Sequence, residues 1–412
     1  MERRRHQGRL QYHEAVACVV EVARVTICAT VGKSMTLKMK TAALGMFGTG
    51  VALLLATAPM SGHHEPAAKF DPAKPITLKG TVSKIDWLNP HVHIFMEVAD
   101  PKGTPSSWAV ELESTVDLRR SGWTPDTVKV GDAVTVEGMP ARNGSRQAWA
   151  NSFVVDATKR RVFTVSDPVP PPLPNPVPPT PRWPDGQPRL GPPAGERGGR
   201  WDYPSATILA EQGVRVEADR HGLLKNINDA AKLAPFQPWA RDLFIFRQRN
   251  FMKDDPMFTD CKPQAGPRIY QVPYGIQFLE ERERKRIRVM MGAGNQNWRF
   301  IYLDGREQTG SPEGNSDDPL YFGHSVGKWE GDTLVVDTKG FHDRFWFSNG
   351  GVPHTPQLHL IERFSRPDLY TLRYEVTIDD PGAYTRTWVS SWTMRWVPSE
   401  ELPVYYCQDN RP

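Results

Sequence analysis

The chain has 412 residues, enough for two or three ordinary domains, and 39% of them are hydrophobic, so it can build substantial cores. A formal charge of +4 is small for that length and is concentrated toward the N-terminus, which leaves no basic surface for nucleic acid or an anionic membrane to recognise. Its 38 prolines, with patterned stretches rich in Val, Ile, Thr, Trp, Tyr and Phe, exclude a mainly helical fold and predict a mainly β one.

The first element in chain order is a targeting segment. From Met35 come Lys38 and Lys40, an apolar run from Thr41 to Ala58 containing Leu53-Leu54-Leu55, and small residues to Gly62. Residues 35–62 therefore read as a secretory signal peptide, and 1–34, basic and carrying Cys18 and Cys28, as an over-extended start. The run approaches the length that spans a bilayer, but its glycines and small-residue exit favour cleavage, leaving no transmembrane anchor and a mature chain that begins at His63. The expected location is the periplasm or the exterior. Only Cys261 and Cys407 then remain, and an even pair in an oxidising compartment is expected to form a disulfide.

Residues 63–160 are expected to hold an OB-like five-stranded β-barrel. Strands are predicted over Ile76 to Trp87, His91 to Val98 and Trp108 to Leu112, each with alternating apolar positions. A helix follows over Ser114 to Ser121, then strands over Ala133 to Glu137 and Ala148 to Val155; three strands, a helix and two strands is the OB element order. Residues 161–200, with Pro-Val-Pro-Pro-Pro-Leu-Pro-Asn-Pro-Val-Pro-Pro at their heart, read as an extended proline-rich linker, the alternative being an arm packed along a domain.

Residues 201–412 open with a short helix over Asn226 to Leu233 and continue as candidate strands Arg268 to Val272, Gly275 to Leu279, Arg286 to Met291, Trp298 to Leu303, Ser325 to Trp329, Thr333 to Thr338, Gln357 to Phe364, Thr371 to Ile378 and Thr385 to Val397. Turns such as Asp304-Gly305 and Glu330-Gly331-Asp332 connect them. A run of that length predicts an antiparallel barrel or sandwich, since closure removes exposed edges, and each of the two domains is expected to fold by itself.

Two groups of motifs carry a resemblance. His63-His64, Gly80-Thr81-Val82, Asn89-Pro90-His91, Val130-Gly131-Asp132 and Val134-Thr135-Val136-Glu137-Gly138 resemble an uncharacterised domain family of exported bacterial proteins, over about 63–156. Gly323 to Thr338, which includes Trp329-Glu330-Gly331-Asp332-Thr333-Leu334-Val335-Val336-Asp337-Thr338, and Thr377-Ile378-Asp379-Asp380-Pro381 are similar to a second uncharacterised exported family. Both resemblances imply location and architecture; neither implies an activity.

Three constellations could carry chemistry. His91 and His93, two apart in a strand, would project to one face about 6–7 Å apart, and with the imidazole and amine of His63 at a freed N-terminus would suit copper or zinc. Trp388, Trp392 and Trp396, with Met394 among them, share one face of the last strand and could line an apolar ligand cavity, or simply fill a core. His324, Asp343, His354, His359 and Glu362 could supply a general acid–base pair, although His359 and Glu362 would face opposite sides of a strand. Gly323-His324-Ser325-Val326-Gly327 has the letters of a nucleophile elbow, but leads into a strand and hairpin instead of a helix.

The expected function is that of an exported envelope protein binding an apolar small molecule or a partner. One alternative is a hydrolase or lyase-type enzyme using the second-domain histidines and carboxylates; another is a copper-binding protein acting through the first domain. A binder needs an apolar lining, whereas an enzyme needs convergent titratable groups.

Overall fold

The computed structural model describes residues 69–89, 91–99, 103–163, 172–202, 208–219, 222–250, 254–271, 274–293, 297–309 and 320–403. Its first barrel is built from β1 (Ile76–Asp86), β2 (His93–Ala99), β3 (Pro105–Glu111), β4 (Ala133–Pro140) and β5 (Gln147–Val155), in the order β3-β2-β1-β4-β5. A parallel pairing of β3 with β5 closes the ring. Leu78, Val82, Ile94, Met96, Val110, Val134, Val136 and Phe153, on the inward positions of the strands, form its core. Helix α1 (Thr115–Arg120) lies between β3 and β4, started by Ser114, whose hydroxyl accepts from the Asp117 N–H. The OB-like element order is therefore present. A sixth strand, β6 (Arg160–Phe163), which was not anticipated, pairs with β5.

Residues 172–198 of the expected linker lie along the second barrel as an arm, while 161–163 fall in β6 and 199–200 in a strand of the second barrel. Thr180 donates to the Arg366 carbonyl, Leu369 N–H donates to Pro178, and the Leu190 and Gly191 amides both donate to Glu280. The arm also turns on itself, Trp183 N–H donating to Gln187 and Arg189 N–H to Pro181, so its amides are satisfied partly within the arm and partly by the barrel it crosses.

The second barrel closes from nine strands. These are β7 (Gly199–Asp202), β8 (Ile276–Glu281), β9 (Arg286–Met291), β10 (Trp298–Tyr302), β11 (His324–Glu330), β12 (Thr333–Lys339), β13 (His359–Ser365), β14 (Thr371–Asp379) and β15 (Trp388–Pro398). Neighbours follow chain order, β15 pairs with β7, and every pair is antiparallel except β10 with β11. β7 begins two residues before the expected domain start at Trp201, so a cut there would divide the strand that closes the ring.

Several stretches depart from the sequence-based expectation. The described part of Arg268 to Val272 does not form a strand: Gly266–Tyr270 is a 3-10 helix, all five residues buried. Between β7 and β8 stand α2 (Ala230–Leu233), α3 (Pro238–Arg249) and α4 (Pro256–Asp260). Of these α3, 12 residues long, was not anticipated: Trp239 and Phe246 are exposed on it, which blurs the apolar stripe that normally marks a helix. Near the 3-10 helix Arg268 makes a buried two-point pair with Asp255, at 3.0 and 2.6 Å.

Both barrels belong to one compact unit, and Arg120 of α1 donates to Asp202 of β7, which is also paired with Arg200. Gly199 marks the tightest glycine approach in the second ring. Its φ is +117, and a Cβ there would stand 2.2 Å from the Trp396 ring. Gly199→Ala is expected to cost about 2–4 kcal/mol through overpacking and left-handed strain. An unchanged urea midpoint would show that Trp396 can yield.

Candidate functional site

At one end of the first barrel three basic groups meet one carboxylate. Glu111, nearly buried at the end of β3, accepts from Lys69 at 3.0 Å and is bonded to His91 Nδ1 at 2.6 Å, with His93 Nε2 3.8 Å from its second oxygen. His91 also packs edge-on against Trp149 at 5.3 Å. Burial works against a charge on His91, but the hydrogen bond and charge of Glu111 outweigh it and raise its pKa. Burial likewise opposes ionisation of Glu111, yet its imidazole partners and Lys69 hold it well below the ordinary carboxylate range.

His91 and His93 do not stand free on one strand face as a ligand pair. His91 precedes β2 and spends Nδ1 on Glu111, while His93 Nδ1 contacts the His91 carbonyl at 3.2 Å. His63 lies outside the described residues, and among the described residues no three His, Cys, Asp or Glu side chains are arranged to hold a metal.

In the second barrel β15 carries its large side chains as the alternation predicts. Trp388, Ser390, Met394 and Trp396 are buried on the inward face, and Trp392 between them keeps part of its surface accessible. Trp392 packs on Tyr374 at 4.7 Å, and its Nε1 donates to the Tyr270 carbonyl at 3.3 Å. The Tyr270 side chain enters the barrel from the 3-10 helix and meets Tyr374 at 4.6 Å and Phe364 at 5.4 Å.

Beside these rings runs a buried polar network. Glu362 of β13 accepts from Tyr374 Oη at 2.9 Å, from Arg299 Nη2 of β10 at 2.8 Å, and from Thr338 Oγ1 of β12 at 3.3 Å. Thr338 is in turn 3.0 Å from Ser325 Oγ of β11. Burial opposes the charge on Arg299 and the Glu362 carboxylate more than offsets it, so the guanidinium is held firmly protonated. Burial, reinforced by the Glu362 charge, pushes both Tyr270 and Tyr374 well above the usual phenol range. Arg299 Nε and Tyr270 Oη are buried without a hydrogen-bond acceptor among the described residues.

The five acid–base candidates are scattered. His324 is stacked on Tyr302 with Nδ1 3.2 Å from Gln308. His354 is held among Phe345 and Phe347 with its ring nitrogens facing the Phe345 and Thr355 carbonyls, and burial lowers its pKa. His359 pairs outside the barrel with Asp337 at 3.0 Å, Asp343 is exposed beside His342, and Glu362 alone faces inward. The general acid–base constellation is thus not assembled by the fold. Ser325 sits within β11, bonded to Thr338, and is no nucleophile elbow. Cys407 lies outside the described residues; Cys261 caps the C-terminus of α4 in a left-handed conformation.

Sequence reasoning missed Glu111, Arg299 and Tyr270. β10 inverts the usual pattern: Trp298, Phe300 and Tyr302 alternate outward while Arg299 and Ile301 turn inward. Phe300 is stacked by Arg286 and Arg288, and Tyr302 by Arg306, which covers two of the outward rings and leaves Trp298 exposed.

Residues 52–150 match a family of unknown function (DUF6152). The match covers the first barrel up to early β5, and begins inside the apolar run before it. No curated protein and no solved structure matches the chain.

The His91–Glu111 pair has a signed pH dependence. His91, raised above 6.5, contributes stability fully present below that value and lost as pH climbs through its folded pKa. Glu111, lowered below 4.5, contributes stability present above that value and lost as pH falls through its folded pKa. Amide exchange of β2 and β3 should therefore quicken as pH rises above about 6.5 beyond the intrinsic rate increase, and Glu111→Gln should abolish that excess while costing about 1–3 kcal/mol near pH 6. An excess that persists in Glu111→Gln would place the titration elsewhere.

Proposed function

We propose that this chain is an exported envelope protein that binds an apolar small molecule inside its second barrel. The observation that carries the reading is Trp392: it faces the lumen between buried neighbours, yet keeps accessible surface beside Tyr374 and Tyr270. A wall of indoles with few polar groups, set next to one compact hydrogen-bonding cluster, is the usual make-up of a small-molecule site. Export is supported by Lys38, Lys40 and the apolar run of residues 41–58. Among the described residues no helix is long and apolar enough to cross a membrane.

The lumen is tested with N-phenyl-1-naphthylamine, a neutral fluorescent probe. The mature protein should bind one equivalent and lose it in Ser390→Phe, which fills the inward face next to Trp392. Equal fluorescence in both proteins would remove the lumen as the site. Export is tested by expression from Met35 in a Gram-negative host: the periplasmic product should begin at His63, and a product retaining the apolar run would oppose it.

In an oxidising compartment the reading also pairs Cys261 with Cys407. In the chain-entropy limit a loop of this length contributes about 4–5 kcal/mol. Non-reducing peptide mapping should recover the two cysteines in one linked fragment; two separately alkylated peptides would refute the pairing.

A further inference from the structure

Resting on the lumen reading above, we propose that the ligand is a neutral, flat aromatic molecule bearing a hydrogen-bond acceptor such as a ketone or aldehyde, seated against Trp392 and Tyr374 and anchored by Arg299 and Tyr270.

The flatness follows from the rings. Trp392 is 4.7 Å from Tyr374, which is 4.6 Å from Tyr270, so three aromatic faces are contiguous along one side of the lumen. Tilted arrangements of this kind accept a further ring by edge or offset contact, which favours planar apolar groups over branched chains.

The acceptor follows from proton accounting. Glu362 is already served by Tyr374, Arg299 and Thr338, so this carboxylate has little left to offer a ligand donor. Donors, by contrast, are in surplus. Among the described residues Arg299 Nε is buried without an acceptor, and a guanidinium has no acceptor capacity of its own. Tyr270 Oη can receive an N–H from Arg299 and still hold a proton with nowhere to donate it among the described residues. That proton stays on the oxygen at neutral pH, because burial holds the phenol well above its usual range. Buried donors left unmade are costly, and a ligand carbonyl would satisfy both.

Neutrality follows from charge. Arg299 and Glu362 lie 2.8 Å apart, with side chains 3% and 0% exposed, and already cancel each other. A second carboxylate would bring an unpaired negative charge into a low-dielectric interior beside Glu362, which desolvation and repulsion both disfavour. The cluster therefore selects against acids even though it contains an arginine.

Three probes of one shape separate the possibilities: 2-acetylnaphthalene, 2-ethylnaphthalene and 2-naphthoate, each titrated into the full mature chain by calorimetry. The ketone should bind about tenfold tighter than the hydrocarbon, which lacks the acceptor, and the naphthoate should bind weakest. Tyr270→Phe should lower ketone affinity about five- to tenfold and leave 2-ethylnaphthalene unchanged, which also reports that the lumen is intact. Equal affinities for the three, or naphthoate binding tightest, would overturn the neutral-acceptor assignment while leaving the lumen as a site. Failure of all three to bind, 2-ethylnaphthalene included, would overturn the lumen reading itself.

Discussion

A ring with an odd number of strands cannot be antiparallel at every pairing, because direction must alternate and an odd cycle leaves one mismatch. Both barrels here are odd, and each resolves the mismatch with one parallel pair: β3 with β5 in the first and β10 with β11 in the second. Parallel neighbours need a crossing connection in place of a hairpin, so the chain must travel from Tyr302 back to His324 before β11 can start. Gln308, on that connection, donates to the carbonyls of both His324 and Asp337 and so fastens the crossing to β11 and β12. The junction itself is short, with Ile301 opposite Ser325 and Tyr302 opposite Val326.

This short junction explains why so much polar chemistry lies beside it. Arg299 comes from β10, Ser325 from β11, Thr338 from β12 and Glu362 from β13, so the buried network ties together the four strands around the mismatch. A buried ion pair contributes little net stability, but removing one partner leaves the other charge stranded, and its cost is best understood as fixing one arrangement against alternatives. Arg299 gives Nη2 to Glu362 and keeps Nε without an acceptor among the described residues. Closure and ligand selection would then share one arginine, and the second would come without a dedicated residue.

Just beyond the end of β13 the barrel uses a second buried arginine differently. Arg366, 2% exposed, lies over the Trp201 and Trp396 rings at 4.7 and 5.1 Å and donates to the carbonyls of Arg189, Gly191 and Leu369. Burial brings its pKa down to about 10, so it remains charged with carbonyl dipoles and indole faces as its surroundings. It joins the proline-rich arm to the β13–β14 turn. What was legible in the sequence follows from this contrast. Strict alternation in β13, β14 and β15 showed both the strands and the inward tryptophans, because those strands bury apolar side chains on one face only. Glu362 was visible as opposed in face to His359 for the same reason. Arg299 and Arg366 were hidden because each is a charged residue satisfied by tertiary partners far away in sequence, which no local period records. Tyr270 was hidden because a compact 3-10 turn with β-favouring letters reads as a strand. The arm stood only as the alternative to a linker because polyproline composition looks the same whether the chain is solvated or laid on a surface.

Two short junctions give the second barrel its preferred lines of breathing. Antiparallel neighbours such as β14 and β15 run side by side from Thr371–Arg395 to Ile378–Trp388, so parting them means breaking a long ladder at once, whereas β10 and β11 meet only at Ile301–Ser325 and Tyr302–Val326, and β7 and β8 only at Trp201–Ile276. Thermal fluctuations that open the ring will therefore concentrate along those two slits, making the closed cylinder behave as two curved plates buttoned edge to edge.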